Sequence, residues 1–134
     1  MRAVASYDPV GGDGEHDELL GLATDGNPST YWTTEGYSVF TKDGVGIVLD
    51  AGSDRKLDSI TVETDLPGWT AEIKAGDSET SFPDTVAGPK TAAASTTWDL
   101  DGGDHRYYAV WITRLTQASD GKQRAHVNEV TARG

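Results

Sequence analysis

The chain has 134 residues, with 22 Asp and Glu against 11 Lys and Arg, for a formal net charge of −11. That length suits one domain, spanning 1–134, with its own hydrophobic core. The charge repels phosphate backbones and anionic headgroups, which argues against nucleic acid as a partner, and the absence of cysteine removes disulfides, zinc–thiolate sites and thiol nucleophiles.

Taken in order, Arg2 to Tyr7 reads as a short first strand, ended by Asp8-Pro9 and by a glycine-rich loop, Gly11 to Gly14. Glu15 to Ala23 carries Leu19, Leu20 and Leu22 behind acidic residues, the pattern of a helix N-terminus, and is the one short helical piece. The next stretch, ATDGNPSTYW from Ala23 to Trp32, gathers Asp25, Asn27 and Thr30 around Gly26 and Pro28. Glycine tolerates positive φ and proline fixes φ near −65°, so the stretch turns tightly. Two readings follow: a loop that offers hard oxygens to a calcium ion, or a plain β-turn leading into a strand.

Beyond Trp32 the apolar period is two. Val45, Ile47 and Leu49, then Ile60 and Val62, then Ala71, Ile73 and Ala75, and finally Tyr108, Val110 and Ile112 mark half-buried strands, with Thr97 to Leu100 a weaker one. Turn clusters separate them, and the stretch from Gly76 to Ser95, with Pro83 and Pro89, reads mostly as loop with room for an edge strand. The expected fold is all-β: an antiparallel jelly-roll sandwich of about eight strands with one short N-terminal helix. No apolar run approaches the ~20 residues of a membrane helix, so direct membrane insertion by this domain is not expected, and the first residues lack the basic, apolar, small-residue order of a signal peptide. In the closing H-V-N-E-V-T from His126 to Thr131, strict alternation with Val127 inward turns Glu129 inward as well. An unpaired buried carboxylate costs several kcal/mol, so either the strand bulges or Glu129 has a partner, of which a cation is one.

The order of these pieces resembles a known family. The segments ATDGNPSTYWTTEGY, KDGVGIVLD and VWITRLTQASDGKQRAHVNEVTA are similar to the discoidin, or coagulation-factor type C, galactose-binding-like domain, over nearly the whole chain. The resemblance is strongest to extracytoplasmic domains of actinobacterial membrane proteins, among them the tail of the peptidoglycan-precursor flippase and serine/threonine kinase sensor domains. It implies one structural Ca2+ held by the side chains of Asp25 and Glu129, by Thr30 through hydroxyl and carbonyl, and by the carbonyls of Leu22, Asn27 and Asn128. In family members without the metal, hydrogen bonds replace it. Asp25 then caps the turn and Glu129 accepts backbone N–H groups.

Ligand contacts are expected on the loops at one end. Tyr37, Phe40 and Trp69 fall in turns, where an aromatic face stacks on a sugar or else covers the end of the core. Trp111 falls opposite Val110 and Ile112 and is expected to cover the outer face of its sheet. Arg114, Lys122 and Arg124 form a basic cluster suited to a carboxylate or phosphate, or balanced internally by Asp120 and Glu35. There is no G-x-S-x-G, H-E-x-x-H or phosphate-cradling loop, and His16, His105 and His126 share no spacing, so no enzyme and no catalytic residue is expected. The expected function is a non-catalytic, extracytoplasmic recognition module of a membrane-anchored protein that binds carbohydrate or a peptidoglycan fragment at the cell wall. The alternative is a structural or protein–protein interaction domain without a sugar site.

Overall fold

Side-chain parity decides the architecture. The computed structural model describes residues 1–9 and 15–134; the glycine-rich loop expected at Gly11 to Gly14 lies outside them. Among the described residues run β1 (Arg2–Tyr7), β2 (Trp32–Thr33), β3 (Val45–Arg55), β4 (Ser59–Glu63), β5 (Thr70–Gly76) and β6 (Asp84–Thr91). They are followed by β7 (Ser95–Asp99), β8 (His105–Arg114), β9 (Thr116–Gln117), β10 (Gln123–Arg124), β11 (His126–Val127) and β12 (Glu129–Arg133). One antiparallel sheet has the order β1-β3-β8-β5-β6 and faces a second of order β12-β4-β7; the pairs β10-β9 and β11-β2 close one end.

The inner faces meet in one core. Ile47 and Leu49 of β3, Ala71, Ile73 and Ala75 of β5, and Tyr108, Val110 and Ile112 of β8 pack against Ile60, Val62, Trp98 and Val130 of the smaller sheet. Each of these strands obeys the alternation seen in the sequence. The five-stranded sheet is also covered on its outer face, where Val48 and Ala109 pack with Phe82, and Tyr7 leans on Phe82 and Trp111. This double burial explains why β3 is buried without interruption from Val45 to Leu49, and it bears out the outward placement of Trp111. Gly46 sits where β3 and β8 come closest, since a Cβ there would lie 2.0 Å from the Val110 carbonyl oxygen.

Two elements differ from expectation. The helical piece is a 3-10 helix, Asp17–Ala23, seven residues long. It begins after His16 at φ 51° without a side-chain cap, and the Leu19 N–H bonds the His16 carbonyl at 2.9 Å, the tighter three-residue closure of a 3-10 turn. The stretch from Gly76 to Ser95, expected to be mostly loop, contains the eight-residue strand β6. As an edge strand it leaves one side of its backbone unpaired, which accommodates Pro89, and only Val86 is buried, so its alternation is faint.

The last strand settles the parity problem by interruption. Asn128 separates β11 from β12, is buried, and sends its N–H to the Glu63 carbonyl. The break resets the alternation, so Val127 and Val130 both reach the core while Glu129 stays half-exposed.

Candidate functional site

The Ala23–Trp32 turn and the last strand are joined as the sequence suggested. Asp25 Oδ1 accepts the Asn27 N–H at 2.9 Å, and the Thr30 hydroxyl donates to Asp25 Oδ2 and approaches the Asn27 carbonyl at 3.0 Å. Glu129 Oε1 accepts the Gly26 N–H at 3.0 Å, and the Asn128 amide donates to the Pro28 carbonyl at 2.9 Å. Leu22 lies half-buried in the 3-10 helix beside them.

The carboxyl groups of Asp25 and Glu129 both bond the Gly26–Asn27 backbone, near enough for each to shift the other's protonation. Burial pushes the Glu129 carboxyl up, with the charges of Asp25 and Glu63 adding to it, while the Thr30 hydroxyl holds Asp25 below its ordinary value. Facing carboxylates repel unless a proton or a cation lies between them. The donor set is hard oxygen throughout, which fits calcium rather than a softer metal. Among the described residues no three His, Asp or Glu side chains converge, so an ion here would depend on two carboxylates and neutral oxygens.

The loop end is built on a ribbon. Trp32 and Thr33 pair with Val127 and His126, the Thr34 N–H donates to the Ala125 carbonyl while the Ala125 N–H donates to the Thr34 hydroxyl, and Tyr37 and Gln123 exchange N–H and carbonyl bonds. Gly36 lies under two basic side chains; a Cβ there would come within 2.7 Å of Arg124 Nη2 and 2.9 Å of Lys122 Cδ. Two clefts flank this ribbon.

The first cleft, about 340 Å³, has Ser38, Val39 and Phe40 on one wall and Arg114, Leu115 and Gln123 on the other. Val39 is 72% exposed, and Phe40 is braced edge-on by Tyr37 at a centroid distance of 5.2 Å. Tyr37 itself is anchored: its hydroxyl donates to Glu15 at 2.8 Å, and Lys42 Nζ stands 5.3 Å from its ring. Burial raises its hydroxyl to about 12. Tyr37 is thus a support for Phe40 rather than a free stacking face.

Beneath it sits an ionic cluster that no sequence motif announces. Lys42 Nζ bonds Asp8 at 2.9 and 3.0 Å and lies 4.0 Å from Glu15, and both carboxylate side chains are 1% exposed. Burial raises the Glu15 carboxyl, against hydrogen bonds from Tyr37 and the Glu35 N–H. Burial also opposes charge on Lys42, but its bonds to Asp8 and Tyr37 prevail and raise it.

The second cleft, about 240 Å³, is bordered by Tyr31, Thr33, Ser119, Asp120, Arg124 and His126. The Tyr31 and His126 rings stack at 4.1 Å, His126 Nδ1 lies 2.7 Å from Asp65, and Arg124 is held by Asp120 at 3.0 Å and by the Thr34 carbonyl. Arg124 in turn holds the Asp120 carboxyl below its ordinary value. Tyr31 and His126 escaped the sequence reading although parity could have found them: each precedes a core residue, Trp32 and Val127, and so points outward.

The expected ligand residues therefore separate. Phe40 and Arg114 share one cleft, Arg124 belongs to the other, and Lys122 is exposed above Gly36. Trp69 is a correction: it is fully buried in the core, with Nε1 facing Thr64 Oγ1 at 3.4 Å, and has no face to offer a sugar. Asp120 balances Arg124 as foreseen, whereas Glu35 faces His16.

No family model matches the sequence. Solved structures share the fold at low identity. A pectin-binding carbohydrate-binding module has a TM-score of 0.70 and 12% identity, with 99% of this chain and 91% of that chain covered. The CBM32 of AlyQ, solved with 4,5-unsaturated mannuronic acid, has a TM-score of 0.67 and 20% identity over 96% of this chain and 97% of that one. A family 89 glycoside hydrolase from Clostridium perfringens has a TM-score of 0.68 and 16% identity over all of this chain. The chain spans 14% of that hydrolase, and 22% of a Ruminococcus gnavus GH29 fucosidase solved with fucose. The pectin-binding module and the CBM32 of AlyQ, which are covered nearly completely along with this chain, are carbohydrate-binding modules.

Proposed function

We propose that this chain is a non-catalytic carbohydrate-recognition module and that its ligand occupies the cleft between Phe40 and Arg114. The observation that carries this reading is the pairing of an apolar, braced face, Val39 and Phe40, with polar groups from Arg114 and Gln123 across an open cleft. Sugar rings present the matching surface: C–H groups for the aromatic face and hydroxyls for the polar wall. Matches to whole carbohydrate-binding modules, and to a small part of large glycoside hydrolases, support a role as one module of a larger protein; an extracytoplasmic position and cell-wall glycan as the ligand class enter the proposal from the motif resemblance alone. A titration against a panel of oligosaccharides tests it. Phe40→Ala is expected to weaken binding about tenfold, the worth of one aromatic contact, with an unchanged melting temperature. Failure to bind any saccharide, together with retention on a protein partner, would favour the interaction-domain reading.

Calcium at the Asp25–Glu129 contact belongs to the same proposal, with the Thr30 hydroxyl and the Asn27 carbonyl as neighbouring donors. The ion would join the turn to the last strand. Because Glu129 is raised, a proton there stabilises the metal-free protein below the ordinary carboxyl range, and that contribution is lost as pH rises through the raised value. Calcium competes with this proton. Its stabilisation is therefore expected to be larger at about pH 8 than at about pH 5, read as the melting-temperature difference between added calcium and chelator. Asp25→Ala should remove the difference, and a melting curve indifferent to chelator at both pH values would count against the ion.

A further inference from the structure

We infer that the ligand of the Phe40–Arg114 cleft carries a carboxylate, as a uronic-acid unit does, and that Arg114 selects it. The inference rests on the reading of that cleft as the sugar site. Arg114 ends β8, paired through its backbone with Thr70, and its exposed side chain makes no hydrogen bond, ion pair or ring contact with any other described residue. Three other cations are taken up by carboxylates, Lys42 with Asp8, Arg106 with Asp50 and Arg124 with Asp120; what sets Arg114 apart is that it lines a cleft. In a chain of net charge −11, carboxylates are abundant, yet none lines this cleft beside Arg114.

A guanidinium is a planar fork whose N–H groups match the two oxygens of a carboxylate, and a charge-assisted pair is about twice as strong as a neutral hydrogen bond. The rest of the cleft is neutral: Ser38, Thr113 and Gln123 can bond hydroxyls, and Phe40 offers its ring. The second cleft lacks this capacity. Its guanidinium is already held by Asp120 and the Thr34 carbonyl, and His126 by Asp65, so an incoming acid would have to displace a resident one. Selectivity for acid thus falls to Arg114. One carboxylate is what a single fork satisfies, and a densely charged polyuronate would meet the negative field of the remaining surface.

The test compares short oligosaccharides ending in a uronic acid with the same sugars after reduction of the carboxylate to an alcohol, by calorimetric titration. Wild type is expected to prefer the acid by about tenfold or more. Arg114→Gln should erase the preference while keeping the affinity for the alcohol form, and Phe40→Ala should weaken both forms alike. Equal affinities in wild type, or a preference that survives Arg114→Gln, would overturn the inference and leave the carbohydrate reading standing. Acidic peptides bound as tightly as uronides would also overturn it. Binding of neither sugar form would remove both readings together.

Discussion

Lys42→Met is expected to lose about 3–5 kcal/mol of stability at neutral pH, the usual cost of removing one partner from a buried ion pair. The methionine keeps the apolar stem and deletes the charge, so packing changes little. What changes is that Asp8 and Glu15, each with a side chain 1% exposed, lose their ammonium. The pH dependence identifies the cause. Burial already raises the Glu15 carboxyl, and without Lys42 its folded value rises further above the unfolded one. Raised carboxyls favour folding while protonated, so the variant regains stability as pH falls and loses it as pH rises through the raised values. Denaturant titrations of both proteins at about pH 5 and about pH 7 should show the gap narrowing at the lower pH. A gap of constant size would place the cause in packing instead of charge.

Trp69→Ala is expected to cost about 3–5 kcal/mol, the range for deleting a buried tryptophan. In a domain of this length that lowers the melting temperature by roughly 10–20 °C. The ring is fully buried, and the backbone around it is fixed by the Gly68 N–H on the Ala92 carbonyl and the Ala92 N–H on the Trp69 carbonyl. Space made by the deletion therefore cannot close by moving the loop. Trp69→Phe fills most of it and is expected to lose far less. Saccharide affinity of the folded fraction should be unaffected by either change. A variant with normal melting behaviour and no sugar binding would return Trp69 to the ligand site.

The strands were legible because each buries one face: Ile60 with Val62, and Tyr108 with Val110 and Ile112, announce their pleat, and Trp111 announces the opposite side. The edge strand β6 was not, since a strand with one buried side chain, Val86, and a proline leaves little period to read. Trp69 stood between a sugar-facing and a core-covering role for a different reason. Pro67-Gly68 reports that the chain reverses, with Gly68 at φ 118°, but not where the following side chain points. For Glu129 parity left a bulge or a partner open, and Asn128 shows what resets the count: one buried residue outside the ladder, between β11 and β12. The basic residues Arg114, Lys122 and Arg124 are near neighbours in sequence, yet they serve different places because β8 ends at the first and β10 contains the last. The Asp8–Glu15–Lys42 cluster depends on segments up to 34 residues apart, and no local pattern encodes such a meeting.

The Gly26–Glu129 contact joins residues 103 apart in the chain, and β11 pairs with β2 across nearly as long a separation. Such closures fix a long loop before any contact rewards it, which places folding on the slow side, in the range of milliseconds to seconds for all-β topologies. The same contact joins the first third of the chain to its final strand, so a nascent chain makes it only after the last strand has left the ribosome. Bonds formed after the rate-limiting step leave the folding rate alone and act on unfolding. Where the Gly26–Glu129 bond forms after that step, its loss shortens the life of the folded molecule without changing how quickly it is made.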